Sequence, residues 1–305
     1  MAVDHPSLPR AAIVTPCRNA ARYIGETIES VLAQDYPAID YLVVDGCSTD
    51  GTLDIVRRYA GRLRYVSEAD GGPADAVNKG FRATTGEYFA FLNADDRYVR
   101  PDAVRLAVER LEQEPDAAAV YGDAVWIDAE GRELGPYPVA DFDPERLRSE
   151  CFIAQPATLF RRAALEKAGL LDSSLRYAFD YDLWIRLTRG ARLVRLPVRL
   201  ASCRMHAGSI SLGSRRAVFR ETIELLRRHY GYVPFRWVHG YSSFLIDGRD
   251  QFFEPLQPSF SKYLASLPAG LFYNRRHPLR YLDEWRRVMT AEALRRRIAT
   301  KLSRR

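Results

Sequence analysis

Tyr41-Leu42-Val43-Val44-Asp45-Gly46-Cys47-Ser48-Thr49-Asp50-Gly51-Thr52 passes from a continuous apolar run, through an acidic turn, to a helix start. The run Tyr41–Val44 reads as a buried strand, and Asp50-Gly51-Thr52 opens a helix through Ala60 with an N-cap type residue in place. The same order of signals repeats on either side. Upstream, Ala11–Thr15 reads as a strand and Arg22–Gln34 as a helix with Ile24, Ile28, Val31 and Leu32 on one face. Downstream come a strand at Leu63–Val66, a helix at Asp75–Ala83 and a strand at Tyr88–Leu92. Strand-helix-strand repetition at this spacing predicts an α/β fold, a mostly parallel, Rossmann-like sheet with helices on both faces. Ligands of such sheets bind beyond the carboxyl ends of the strands. Four loops are therefore expected on one edge: Pro16–Asn19, Asp45–Asp50, Glu68–Pro73 and Asn93–Arg97. Three of them carry acidic residues, which suits a metal or a ribose better than a bare phosphate.

After residue 115 the pattern changes. Tyr121–Trp126 and Arg132–Tyr137 flank the turn signal Asp128-Ala-Glu-Gly131 and predict a β-hairpin. Strands follow at Ala157–Phe160 and Ala191–Arg204, with a helix at Tyr181–Arg189 between them. Beyond Gly213 the segments Ala217–Tyr230, Ser259–Leu267 and Tyr281–Leu302 are helical, aromatic and basic.

The 305 residues, 47% hydrophobic and 28% charged, are the composition of a soluble globular protein and exclude a disordered or fibrous chain. Cys17, Cys47, Cys151 and Cys203 form no CxxC pair, so neither a zinc ribbon nor a disulfide scaffold is expected, and the thiols read as reduced and mostly buried. No run reaches the roughly 18 apolar residues of a membrane-spanning helix, and Met1–Arg10 lacks the apolar core of a signal peptide. A cytoplasmic protein is expected. Charge is uneven: residues 214–305 hold 19 Lys/Arg against 8 Asp/Glu, and the rest hold 26 against 31. A basic tail on a slightly acidic body suggests an anionic partner surface, phospholipid or nucleic acid.

Several residues carry chemical promise. Leu92-Asn93-Ala94-Asp95-Asp96 ends a predicted buried strand with adjacent carboxylates, which repel each other unless a cation sits between them. Hard oxygen ligands suit Mg²⁺ or Mn²⁺; the alternative is a solvated turn capping a helix over Pro101–Glu112. Asp45, ending the second strand, is placed to accept hydrogen bonds from a ribose or a base edge. The loop Thr15-Pro16-Cys17-Arg18-Asn19 lacks GxGxxG, and no GxxxxGK[ST] occurs, which weighs against a dehydrogenase and a P-loop NTPase. In Phe179-Asp180-Tyr181-Asp182-Leu183-Trp184 the two carboxylates point apart on a helix, so one can cap while the other faces the cleft as a base. His206 follows a predicted strand; His5, His229, His239 and His277 have no acidic company and receive no role.

Taken together these loops resemble family 2 glycosyltransferases. The motifs occur in that family's order: Ile13-Val14-Thr15-Pro16 with Asn19, the Val44–Thr52 run, Asp75-Ala-Val-Asn-Lys-Gly80, Asn93-Ala-Asp-Asp96, Gln155-Pro-Ala-Thr158 and Asp180-Tyr-Asp-Leu-Trp184. The resemblance spans roughly residues 10–212 and implies a GT-A fold. The domain reading that follows is a catalytic domain over 1–213, with a nucleotide-sugar half at about 10–115 and an acceptor half at about 116–213. Residues 214–305 form a helical extension. By resemblance Thr15, Pro16 and Asn19 would line the nucleotide, Asp45 would hold a uracil-type base, and Asp75 with Lys79 would border the sugar-diphosphate. Asn93 and Asp95 occupy the D-x-D positions, with Asp96 beside them. Asp95, Asp96 and His206 would hold Mn²⁺ or Mg²⁺. Asp180 matches the general base, and Gln155, Asp182 and Trp184 would stand on the acceptor side. Two departures matter: Asn93 replaces the first Asp of D-x-D, and Phe179 occupies the Glu place of the Glu-Asp pair.

The implied activity is inverting transfer from a nucleoside-diphosphate sugar, UDP favoured, to the hydroxyl of a saccharide or lipid-linked glycan in envelope polysaccharide synthesis. The basic extension would then touch an anionic membrane on its inner face rather than nucleic acid, or merely pack as a solvated helix. A sugar nucleotidyltransferase would share the sheet but normally shows a Gly-rich basic loop after the first strand. A non-catalytic nucleotide-sugar-binding protein would not need Asp180 beside Asp95-Asp96.

Overall fold

The computed structural model describes residues 8–248 and 260–288. The parts of the expected domains at 1–7, 249–259 and 289–305, including Ser259 and the later part of the helix read at Tyr281–Leu302, lie outside the described residues. The chain divides into two compact units, one made of residues up to Asp143 together with Phe152–Ser209, the other of Pro144–Cys151 and the residues from Ile210 onward.

The first unit begins β1 (Ala11–Cys17), α1 (Ile24–Leu32), β2 (Ile39–Asp45), α2 (Thr52–Arg57), β3 (Arg64–Ser67), α3 (Pro73–Ala83) and β4 (Tyr88–Phe91). It continues through β5 (Arg97–Tyr98), α4 (Ala103–Glu112), β6 (Ala117–Ile127) and β7 (Glu133–Pro136). After α5 (Pro144–Ser149), which belongs to the other unit, come a 3-10 turn at Gln155–Ala157, β8 (Thr158–Arg161), α6 (Arg162–Ala168), α7 (Phe179–Leu187) and β9 (Arg192–Arg204). Among the described residues nine strands join one sheet in the order β3-β2-β1-β4-β8-β6-β9-β5, with β7 on β6. The pairings among β3, β2, β1 and β4 are parallel. Beyond them the sheet is mixed: β8 runs antiparallel to β4 and β6, while β9 runs parallel to β6.

Every residue of β1 is buried, which is why it reads as a continuous apolar run and not an alternating one. Ile24, Ile28 and Val31 of α1 pack with Ile13 and Val43 in one core cluster. α3 approaches β1 so closely that a Cβ at Gly80 would stand 2.4 Å from Val14 Cγ1. The helix can dock there only because position 80 has no side chain.

The second unit adds α8 (Ile210–Gly213), α9 (Arg215–Tyr230), α10 (Phe235–Asp247) and α11 (Phe260–Tyr273). α10 has no counterpart in the sequence reading: it lacks a polar cap, starts behind Pro234 and contains Gly240. Tertiary contacts make it. Phe235 stacks on Tyr263 with centroids 5.7 Å apart, His239 lies 4.8 Å from the same ring, and Phe219 stacks on Tyr241 at 5.4 Å. Buried Asn274 exchanges hydrogen bonds with Val233, accepting its N–H at 2.7 Å and donating to its carbonyl at 3.0 Å. Among the described residues no helix is long and apolar enough to cross a membrane.

Candidate active site

Parallel pairing brings the carboxyl ends of β1, β2 and β3 level, with Cys17 opposite Asp45 and Asp45 opposite Ser67. The loops after β1 and β2 are laced together. The Ser48 hydroxyl accepts the Asn19 N–H at 2.8 Å, and the Asn19 side-chain carbonyl accepts the Thr49 N–H at 2.9 Å. Asn19 and Cys47 both take the left-handed conformation, φ 53° and 57°, a local cost that these cross-loop bonds offset.

Thr15 and Asp45, expected against a nucleotide, are both fully buried. The Thr15 hydroxyl pairs with the Tyr41 hydroxyl at 3.0 Å. Asp45 accepts the Ser67 hydroxyl at 2.6 Å, the Ser48 N–H at 3.1 Å, the Ser48 hydroxyl and the Cys17 thiol. A buried carboxylate requires such donors, and they consume the oxygens a ligand would use. These two residues build the cleft floor, whereas Pro16 closes the end of buried β1. Asp75 and Lys79 latch the third loop. Asp75 accepts the Gly71 N–H at 3.0 Å, and Lys79 reaches Glu68 at 3.0 Å and the Ala69 carbonyl at 2.6 Å. The hydrogen bond to Glu68 raises the ammonium's affinity for its proton.

The fourth loop, after β4, is held from beneath. Gln155 donates to the Phe91 carbonyl at 2.6 Å, and Asn93 donates both to Gln155 Oε1 and to Asp96 Oδ2, each at 3.2 Å. An Asp at position 93 would set a third carboxylate against Asp96; the amide supplies a donor instead. Asp96 is buried, and its other oxygen accepts the Arg204 N–H at 2.9 Å. Desolvation first, and the charge of Asp95 second, push its carboxyl well above the ordinary carboxylate range.

Asp95, half-buried, faces outward, with Oδ2 at 3.1 Å from His206 Nε2. The His206 tautomer follows from its other nitrogen. Gly208 N–H donates to Nδ1 at 3.2 Å, so Nδ1 is an acceptor and Nε2 carries the hydrogen. Nε2 then donates to Asp95. Of the expected metal ligands, Asp96 is turned to the Arg204 N–H, while Asp95 and His206 pair with each other. Among the described residues no three His, Cys, Asp or Glu side chains converge as a metal site. What remains is one outward carboxylate, Asp95, braced by an inward one.

α7 supplies the remaining carboxylate. Phe179 packs against Phe91 at 6.4 Å and Trp184 stacks on Phe160 at 5.3 Å, so the helix is docked on the sheet directly behind the fourth loop. Phe179, where the resemblance expects Glu, is thus an anchor. Asp180, in the first turn, stays part-exposed and accepts the Tyr181 N–H at 2.7 Å. The Cys203 thiol is pushed well above its ordinary value by desolvation and then by Asp96, Asp95 and Asp180. Asp182 and Trp184, expected on the acceptor side, are instead buried. Asp182 pairs with Arg186 at 2.6 Å, one helical turn on, and Arg186 in turn caps the carbonyls of Ala168, Gly169 and Leu170.

Arg204 went without a role in the sequence reading. Its buried guanidinium donates to the Asp95 carbonyl at 3.0 Å, to the carbonyls of Asp128 and Ala129 at 3.3 and 3.2 Å, and to Glu26 at 2.6 Å. It also lies 4.7 Å over the Tyr23 ring, whose centroid is 4.8 Å from that of His206. A charged residue following the uncharged run Leu200-Ala-Ser-Cys203, two positions before a histidine, is the available signal.

A parallel half-sheet with an acidic carboxyl edge, extended by a mixed half that contributes further carboxylates, defines the GT-A class of fold. Solved structures of that fold align over most of the chain. TarS 1–349 of Staphylococcus aureus in complex with UDP-GlcNAc gives a TM-score of 0.59 at 18% identity, over 87% of this chain and 80% of that one. The mannosyltransferase PcManGT of Pyrobaculum calidifontis, in complex with GDP-Man and Mn²⁺, gives 0.58 at 22% identity over 95% and 81%. The model of glycosyl transferase family 2 matches residues 12–169, and the chain belongs to that family. An uncharacterized glycosyltransferase of Rickettsia typhi is 32% identical over 194 residues, 59% of each chain. The chain thus spans less than two-thirds of that relative's length.

Proposed function

We propose that the chain is an inverting glycosyltransferase that moves a sugar from a nucleoside-diphosphate sugar, UDP favoured, to a hydroxyl of a saccharide or lipid-linked glycan in envelope polysaccharide synthesis. The observation that carries this reading is the Asp95-Asp96 pair on the loop after β4, Asp95 part-exposed and Asp96 buried against the Arg204 N–H, with Asp180 part-exposed in the first turn of α7, a helix docked through Phe179 onto Phe91 of β4. Family membership supports sugar transfer, and the fold's likeness to proteins solved with UDP-GlcNAc and GDP-Man supports a nucleotide-sugar donor.

Asp180 takes the acceptor hydroxyl's proton as the oxygen attacks the anomeric carbon. The bond from that carbon to the diphosphate breaks on the opposite face, its electron pair leaves on the diphosphate oxygen, and the configuration inverts. The donor set fits a hard cation that completes its shell with waters and substrate phosphates, as Mg²⁺ usually does. Asp95 would hold Mn²⁺ or Mg²⁺, which supplies Lewis-acid neutralisation of the leaving diphosphate. Asp96, with Asn93 and Arg204, fixes the loop that presents Asp95. His206, through its Nε2–H, orients the Asp95 carboxylate. Asn19 and Pro16 border the nucleotide, and the loop latched by Asp75 and Lys79 borders the sugar-diphosphate. The protein works in the cytoplasm on the inner face of the membrane, touching anionic lipid through 214–305, with no nucleic-acid partner.

The test is turnover against a panel of nucleotide-sugars with and without Mn²⁺, run on wild type and Asp180→Asn. The reading expects one sugar donor to be consumed by wild type and the variant to be slower by roughly two to four orders of magnitude. Near-normal turnover by the variant would remove Asp180 as the base; no consumption of any donor would remove the reading.

A further inference from the structure

α11 and the turn after it carry an outward face of uncommon composition. Phe260, Leu264, Pro268 and Phe272 recur every four residues and so form one ridge along the helix. All four are exposed, Phe260 by 65%, Leu264 by 46% and Phe272 by 70%. The helix buries Lys262, Tyr263, Ser266 and Gly270 instead. Past the ridge the chain exposes Arg275, Arg276 and Arg280, with Leu279 exposed by 78% among them.

The segment itself carries no acidic residue. No Asp or Glu occurs from Phe260 to Leu282. The helix's one charge, Lys262, is turned inward onto Asp247 at 2.6 Å. Glu284, further on, is engaged by the Tyr232 hydroxyl and by the Phe235 N–H at 3.1 Å. A helix that merely needs solvation places charges outward and apolar groups inward; here the outward groups are apolar and the adjoining turn is purely cationic.

We propose that this face seats the chain on an anionic bilayer. Phe260, Leu264, Pro268 and Phe272 enter the boundary between headgroups and acyl chains, and Arg275, Arg276 and Arg280 meet lipid phosphates. Charge complementarity selects the partner: Arg275 and Arg276 have no carboxylate within four residues along the chain, and near Arg280 Glu284 is engaged by Tyr232 and Asp283 by Arg287, so the net cationic turn suits an anionic surface, while the ridge requires an apolar phase beneath it. The inference rests on the reading that 214–305 touches membrane, and narrows that contact to one helix and its following turn.

The experiment is flotation of the full chain with phosphatidylcholine vesicles, alone or with added phosphatidylglycerol, for wild type, Leu264→Ser/Phe272→Ser and Arg275→Gln/Arg276→Gln/Arg280→Gln. Wild type is expected to float with the phosphatidylglycerol vesicles and to lose binding as salt rises. Burying one such apolar side chain is worth roughly tenfold in partition, so the serine pair should bind at least tenfold more weakly. The glutamine triple should lose its preference for anionic vesicles. Every changed side chain is exposed, though Arg280 also lies 4.0 Å over the buried Tyr232 ring; both variants should keep the wild-type melting temperature, and if either does not, Phe272→Ser alone and Arg275→Gln/Arg276→Gln carry the comparison. Ridge and arginine variants that float like wild type would overturn this face while leaving membrane contact through other parts of 214–305 intact. A wild type that floats with no vesicle would overturn both, and neither result bears on sugar-donor turnover.

Discussion

Replacing Arg204 by Met keeps most of the aliphatic stem but deletes every polar contact of the guanidinium. Three main-chain carbonyls, those of Asp95, Asp128 and Ala129, lose a charged donor, and Glu26 loses a partner at 2.6 Å. Removing one partner of a buried ion pair costs about 3–5 kcal/mol. The low end applies here, because the Glu26 side chain is 48% exposed and keeps Arg97 at 3.1 Å. A loss of about 3 kcal/mol, spread over a unit of this size, lowers the melting temperature by roughly 6–12 °C. Differential scanning fluorimetry and urea unfolding followed by tryptophan fluorescence would measure it. Sugar-donor turnover should fall with it, because the Asp95 carbonyl is what the guanidinium holds. Arg204→Lys, which preserves the charge but not the fork, should fall between the two. A Met variant within about 1 kcal/mol of wild type, on the scale of a single ordinary hydrogen bond, would refute the clamp.

Other substitutions separate neighbouring roles. Asp95→Asn should leave thermal stability near wild type while weakening Mn²⁺-dependent donor binding by calorimetry. Asp96→Asn should do the reverse, since an amide would turn an N–H₂ toward the Arg204 N–H or the Asn93 amide and cost about 1–3 kcal/mol. Gly80→Ala, with a methyl 2.4 Å from Val14 Cγ1, should lower the urea midpoint by an amount equivalent to about 1–3 kcal/mol. His239 is buried beside Lys262, and desolvation first, then that charge, push its imidazolium down to about 4. The unfolded chain takes up this proton near pH 6.5 and the folded chain only near 4, so folding stability is intact above 6.5 and declines as pH falls between them, by up to about 3 kcal/mol. Urea midpoints at pH 8 and pH 5 should converge in His239→Asn relative to wild type.

The sequence disclosed the parallel half because its physics is local. A run such as Tyr41–Val44 is apolar throughout, as a strand covered on both faces must be, and Asp50 and Thr52 mark the helix start by their own hydrogen-bonding chemistry. It disclosed the same-edge convergence of the first four loops for the same reason. It could not disclose which carboxylates face the cleft. Asp45 and Asp182 look no different in the sequence from Asp95 and Asp180, yet the first two are buried against Ser67, Ser48 and Arg186 while the second two stay part-exposed. Short β5 was missed because two residues carry no periodicity, and α10 because its aromatic packing, not its caps, makes it a helix. The tautomer of His206 needed a backbone N–H two residues away, which spacing cannot report.

The position of β9 has a consequence for how the protein is made. Among the described residues it is the last strand, yet it lies between β6 and β5, and β5 pairs with no other described strand. Emerging from the ribosome, the nascent chain can pair β1 through β4 early, but the buried Asp96 carboxylate waits more than a hundred residues of synthesis for the Arg204 N–H. Until then the acidic loop stays hydrated and the exposed flank of β6 is a site for wrong pairing, the hazard that long-range strand insertion brings to slow-folding sheets. Slowing translation after residue 204 should therefore raise the soluble yield more than slowing it before residue 190.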